Sequence, residues 1–162
     1  MTPDVLLNAL KQFIEENTRD LILPVRVRGN GNGAEQKERA AEIYKMRLPD
    51  VESETKRIPY ILLQYLQGID DQKTGESPES TCKVRIVLAA YDENGETGAL
   101  NLLNLMTRVR VALLKQGMIN EQFCLLPPLE NLIYPDSPPP YYLGEIMTNW
   151  TMPTIHREVN MQ

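Results

Sequence analysis

Between residues 126 and 153 the chain reads LPPLENLIYPDSPPPYYLGEIMTNWTMP. Proline cannot donate to a sheet ladder, so Pro127 and Pro128 split the first part into two short strands, 123–126 and 129–134. The prolines over 135–140 make a rigid, extended crossing. A clean alternating strand follows. Tyr142, Ile146, Trp150 and Met152 fall on one face, with Glu145, Asn149 and Thr151 among the residues on the other. No enzyme motif has this form.

The rest of the chain supplies helices and strands to go with it. Thr2 suits a helix cap, Pro3 the first helical position and Asp4 the positive end of the dipole. Leu6, Leu10, Phe13 and Asn17 then fall on one line of a helix ending near Thr18. Residues 21–28 read as a short strand, which Pro24 confines to an edge or an end. Residues 36–46 fit helix by propensity, but the alternation of Ile43 to Leu48 favours strand over 42–48. PYILLQYLQ (59–67) reads as a central strand, and 81–91 as a strand with Cys82, Val84, Ile86 and Leu88 on one face. Asp92 to Gly95 turn, Thr97 caps, and a second helix runs over about 98–116. Its stripe is Leu102, Leu105, Met106, Val109, Ala112 and Leu113, stopped by Gly117.

Two polar segments interrupt this pattern. Residues 29–37 open with GNGNG, and 68–80 read GIDDQKTGESPES. Both are expected to be mobile loops, too rich in glycine and charge to pack within the subunit. The first lacks the GK[ST] ending of a phosphate loop and the GxGxxG spacing of a dinucleotide site. Gly29, Asn30, Gly31, Asn32, Gly33, Asp70, Asp71 and Lys73 are therefore the candidate assembly-interface residues, with at least one of the two loops expected to order against a neighbouring molecule.

Composition narrows the function classes. The 162 residues suit one domain spanning 1–162, with 42% hydrophobic and 24% charged residues. Net charge is −5, which argues against a nucleic-acid binder, and Arg26 and Arg28 make only a thin basic patch. No apolar run approaches the roughly 20 residues of a membrane span, and nothing reads as a signal peptide, so synthesis in the cytosol is expected. Cys82 and Cys124 sit in apolar runs and read as buried thiols. With one histidine, the chain offers no Cys/His zinc set.

Candidate catalysts are equally sparse. His156 stands near the C-terminus with no nucleophile in a recognisable elbow. Asp70-Asp71 and Asp92-Glu93 read as turn formers rather than paired catalytic acids or metal ligands. Pro138 to Tyr141 matches PPxY, but the tyrosine opens an apolar strand and is expected to pack. The expectation is no enzyme, no cofactor and no metal.

Taken in order, the leading helix, the strand ending Leu48-Pro49, IPYILLQ at 58–64, VRIV at 84–87, the long helix, PPL at 127–129 and PYYLGE running to Trp150-Thr151-Met152-Pro153 resemble phage tail terminator (tail completion) proteins of long-tailed phages, over most of the chain. The resemblance implies a single α+β domain with a mixed, mostly antiparallel sheet and two main helices packed on one face. It also implies a virion protein at the head-proximal end of the tail. There it forms a ring, typically of six subunits, that caps the tail tube, halts polymerisation and meets the head–tail connector or stopper. Its partners would be itself, the tail tube protein and that connector. A neck or head-completion adaptor is the alternative within the same setting, and a small enzyme with an unfamiliar site the alternative outside it.

Overall fold

The computed structural model describes residues 2–25, 38–49 and 58–158. Among these residues the fold is α+β: two helices, a six-stranded mixed sheet that is antiparallel apart from one pair, and a separate two-stranded sheet.

Helix α1 (Pro3–Thr18) starts as its proline and first-turn Asp4 dictate, although Thr2 makes no side-chain cap. Its buried stripe is Leu6, Leu7, Leu10, Ile14 and Thr18. Strands β1 (Leu23–Pro24) and β2 (Glu38–Arg39) pair antiparallel as a two-residue ribbon. Of the strand read over 21–28, only these two residues are strand among those described, and Pro24 lies at its end as expected. Strand β3 (Glu42–Lys45) is shorter than the 42–48 reading, because Met46 adopts φ 66° and ends the ladder.

Strand β4 (Tyr60–Asp71) pairs parallel with β3 over its first four residues and antiparallel with β5 (Glu79–Tyr91) throughout. The loop expected over 68–80 is corrected here. Gly68, Ile69, Asp70 and Asp71 lie opposite Cys82, Thr81, Ser80 and Glu79, which leaves residues 72–78 as the turn. Backbone pairing with a strong neighbouring strand outweighs the weak strand propensity of Gly and Asp. A bulge between Tyr65 and Gln67 resets the register on the way.

Helix α2 (Gly95–Gln116) begins three residues before the expected start. Asn94, not Thr97, is its cap: the Asn94 carboxamide oxygen accepts from the Glu96 N–H at 3.0 Å and the Thr97 N–H at 3.5 Å. Its buried residues are Gly98, Leu102, Leu105, Met106, Val109 and Leu113. Gly117, at φ 69°, closes the helix with its N–H on the Leu113 carbonyl.

Strand β6 (Met118–Ile119) pairs with the start of β7 (Phe123–Ile133), which pairs with β8 (Tyr141–Met152). The two short strands expected around Pro127 are one strand with a register shift between Leu126 and Glu130, a bulge that absorbs the prolines. Residues 135–140 are not an extended crossing but the reversal between two adjacent strands, with the Tyr141 N–H on the Pro138 carbonyl at 2.9 Å.

Sheet order is β3-β4-β5-β8-β7-β6. Both helices cover one face, and the core between holds Ile61, Leu63, Val84, Ile86, Leu88, Ile146 and Trp150. The opposite face carries a smaller cluster of Ile58, Tyr60, Leu62, Ala89 and Tyr91, flanked by Tyr44, Tyr141 and Leu143.

Candidate assembly surface

The β7–β8 hairpin is where sequence and packing meet most tightly. Its glycine, Gly144, faces α2. A Cβ there would come within 2.7 Å of the Met106 methyl, 2.8 Å of the Leu132 carbonyl oxygen and 3.4 Å of the Ile133 Cα, so the hairpin closes onto the helix only because no side chain intervenes. About two turns nearer the helix start, Gly98 receives the Tyr142 ring in the same way. Farther along β8, the Trp150 indole is fully buried.

On the opposite face a polar row crosses the sheet. The Arg85 guanidinium (β5) donates twice to the Gln64 carboxamide oxygen (β4), at 2.9 and 2.7 Å. Its third nitrogen lies 3.8 Å from the Glu145 carboxylate (β8), which also accepts the Tyr134 hydroxyl at 2.9 Å. Burial, then the hydrogen bond to Glu145, pushes the Tyr134 phenol up, so it is a neutral donor at physiological pH. The row ties neighbouring strands together with their heads still partly exposed, which suits a rigid docking plate.

Of the candidate interface residues, Gly29, Asn30, Gly31, Asn32 and Gly33 lie outside the described residues. The reading of 68–80 as a loop ordered only by a neighbour does not hold for Asp70 and Asp71, which are strand residues of the β4–β5 hairpin. Asp70 accepts the Ser80 hydroxyl at 2.6 Å, and Asp71 accepts the Gln72 N–H at 2.8 Å. Lys73 lies in the turn, where its carbonyl accepts the Glu76 N–H. Of the candidates, the described ones, Asp70, Asp71 and Lys73, lie together at the end of the β4–β5 hairpin.

The other candidate groups have ordinary structural work. Asp92 holds the turn before α2, accepting the Asn94 N–H at 2.9 Å and the Asn101 amide at 3.1 Å. Glu93 accepts the Tyr91 hydroxyl, and Tyr141 packs on Tyr91 with ring centroids 5.8 Å apart. His156 is exposed beyond β8. Cys82 and Cys124 are free thiols. Cys82 is buried, and burial pushes its thiol up to about 11. Among the described residues no group of three or more His, Cys, Asp or Glu could hold a metal ion, and no helix is long and apolar enough to cross a membrane.

Sequence reasoning missed the Gln64–Arg85–Glu145–Tyr134 row. Its only signal was a polar residue set into each of two apolar strands, and the register that joins them is set by tertiary pairing. No protein-family model matches the chain, and no curated protein matches it.

Proposed function

We propose that this chain is a phage tail terminator: a virion protein that assembles as a ring, typically of six copies, on the last ring of the tail tube, stops polymerisation there and offers its other side to the head–tail connector or stopper. The observation that carries this reading is the β7–β8 hairpin. The residues that give the sequence its resemblance, Tyr142, Gly144, Glu145 and Trp150, have packing and bracing roles there. A helix-backed sheet with a braced opposite face supplies one shape to a neighbour and another to a tube, and the mechanism is geometric: heterologous contacts close into a ring, with no covalent step.

The test is to assemble tail tubes from the tube protein encoded in the same genome, with and without this chain carrying a gold-binding tag. The expected result is tubes of limited length labelled at one end only. Label along the walls, no label, or label on the portal or stopper instead would overturn the reading, the last outcome favouring a neck adaptor.

A further inference from the structure

Among the described residues the six-stranded sheet has two open edge stretches, one on each side. Strand β3 covers β4 only from Tyr60 to Leu63, and Met46 reaches Tyr65, where its sulfur accepts the backbone N–H. Beyond that, no strand among the described residues pairs with the outer side of β4 over residues 66–71. On the far side, β6 covers β7 only at Phe123 and Cys124, and Gly117 accepts the Leu125 N–H. The outer side of β7 is unpaired over residues 128–133 among those described.

Unprotected edges invite another strand, and proteins blunt them with lysine and other charges, proline, bulges or cover, of which Asp70, Asp71, Pro128 and Glu130 supply a part. Here neither six-residue stretch contains a lysine, and each displays large apolar side chains. Leu66 is 44% and Ile69 52% exposed on β4; Leu132 is 54% and Ile133 40% exposed on β7. The two edges also run in opposite directions. Strand β4 is antiparallel to β5, β5 to β8 and β8 to β7, so a copy set beside the first in the same orientation brings its β7 antiparallel to β4.

We propose that copies of this chain join by strand addition, the open edge of β4 taking the open edge of β7 from the next copy, with Ile69 opposite Leu132. Both side chains point to the face away from the helices, since Ile69 pairs with Thr81 and Leu132 with Glu145, whereas the neighbouring Cys82 and Ile146 enter the helix-side core. The same register sets Gly68 opposite Ile133, where the Tyr65 phenol folds over the glycine and would be the surface the isoleucine meets. It also sets Asp71 opposite Glu130, a like-charge pair that weakens the contact. In this register residues 68–71 meet 130–133, a four-residue pairing that spans about 13 Å and falls short of the ~1,200 Å² at the lower end of stable interfaces. Free subunits therefore associate weakly, and high salt strengthens the contact by screening the carboxylates. The pairing gives the proposed ring its joints and rests on that reading for its setting in a tail.

The experiment uses the full chain with Cys124→Ser, carrying either Ile69→Cys or Leu132→Cys, at high protein concentration and high salt under mild oxidation. Both positions are exposed on edges, so folding is not at stake. The expected result is a covalent dimer when the two variants are mixed and none from either alone. A dimer from one variant alone means that like edges meet, and no dimer from the mixture means that the edges take another chain's strand or none; either result overturns the proposal. Cross-linking by a chain that fails to cap tubes would leave the edge pairing standing and remove the tail reading. Capping without the adduct would do the reverse.

Discussion

The indole N–H of Trp150 donates to the hydroxyl of Thr148 at 2.7 Å, two residues back on the same face of β8, and that hydroxyl donates in turn to the Val84 carbonyl of β5 at 2.8 Å. Both side chains are fully buried. A single hydroxyl thus satisfies the one polar atom of the largest core residue and ties two central strands together.

Trp150→Ala is expected to destabilise the fold by about 3–5 kcal/mol as a core truncation. Thr148→Val keeps the volume but orphans the indole N–H, at a cost of roughly 1–3 kcal/mol. Denaturant unfolding measures both. A loss below half a kcal/mol for Trp150→Ala would contradict the core position of the ring.

Gly144→Ala is expected to cost about 1–3 kcal/mol, since the added methyl meets the Leu132 carbonyl, which is backbone and cannot swing aside. Gly75, in the hairpin turn at φ 82° with nothing within 4 Å, is strained by alanine only through its backbone. Thermal unfolding should show the larger loss at position 144, and equal shifts would mean that the hairpin does not press on α2.

Stability is expected to fall on the alkaline side. Cys82 rises from an ordinary 9.0 to about 11 on burial, so the folded state holds its proton where the unfolded chain has lost it. The contribution is whole below pH 9 and is lost progressively between pH 9 and 11. Tyr65 and Tyr134, both raised first by burial, act in the same direction. Melting temperatures from pH 7 to 11 test this, and Cys82→Ala should flatten part of the decline. Thiol-labelling at pH 8 should find half-buried Cys124 well before Cys82.

Binding to duplex DNA in the micromolar range at physiological salt is not expected. The net charge of −5 opposes the phosphate backbone. A gel shift at those concentrations would revive the thin patch of Arg26 and Arg28.

Periodicity made the helices and the faces of β5 and β8 legible. Leu102, Leu105, Met106, Val109 and Leu113 recur at helical spacing, and Ile146 and Trp150 alternate, because burial repeats with the geometry of the element. What stayed hidden was set by partners distant in sequence. Gly68 to Asp71 look like a loop until β5 is opposite them. Pro127 and Pro128 look like a break until β8 bridges the bulge. The pairing of Gln64 with Arg85 depends on the same register.

The two edge stretches left open among the described residues lie at opposite ends of the sheet, and that offset has a geometric consequence. Leu132 lies level with Leu62 within one sheet, through Glu145 and Val87, so joining it to Ile69 of a neighbour shifts each copy along its strands by six residue levels once the bulge is allowed for. That is about 20 Å of slip for each four strand widths, about 19 Å. Strands parallel to the symmetry axis would then wind into an endless spiral. Closure instead requires them to lean about 45° from the axis, at the steep end of the tilt of closed β-barrels.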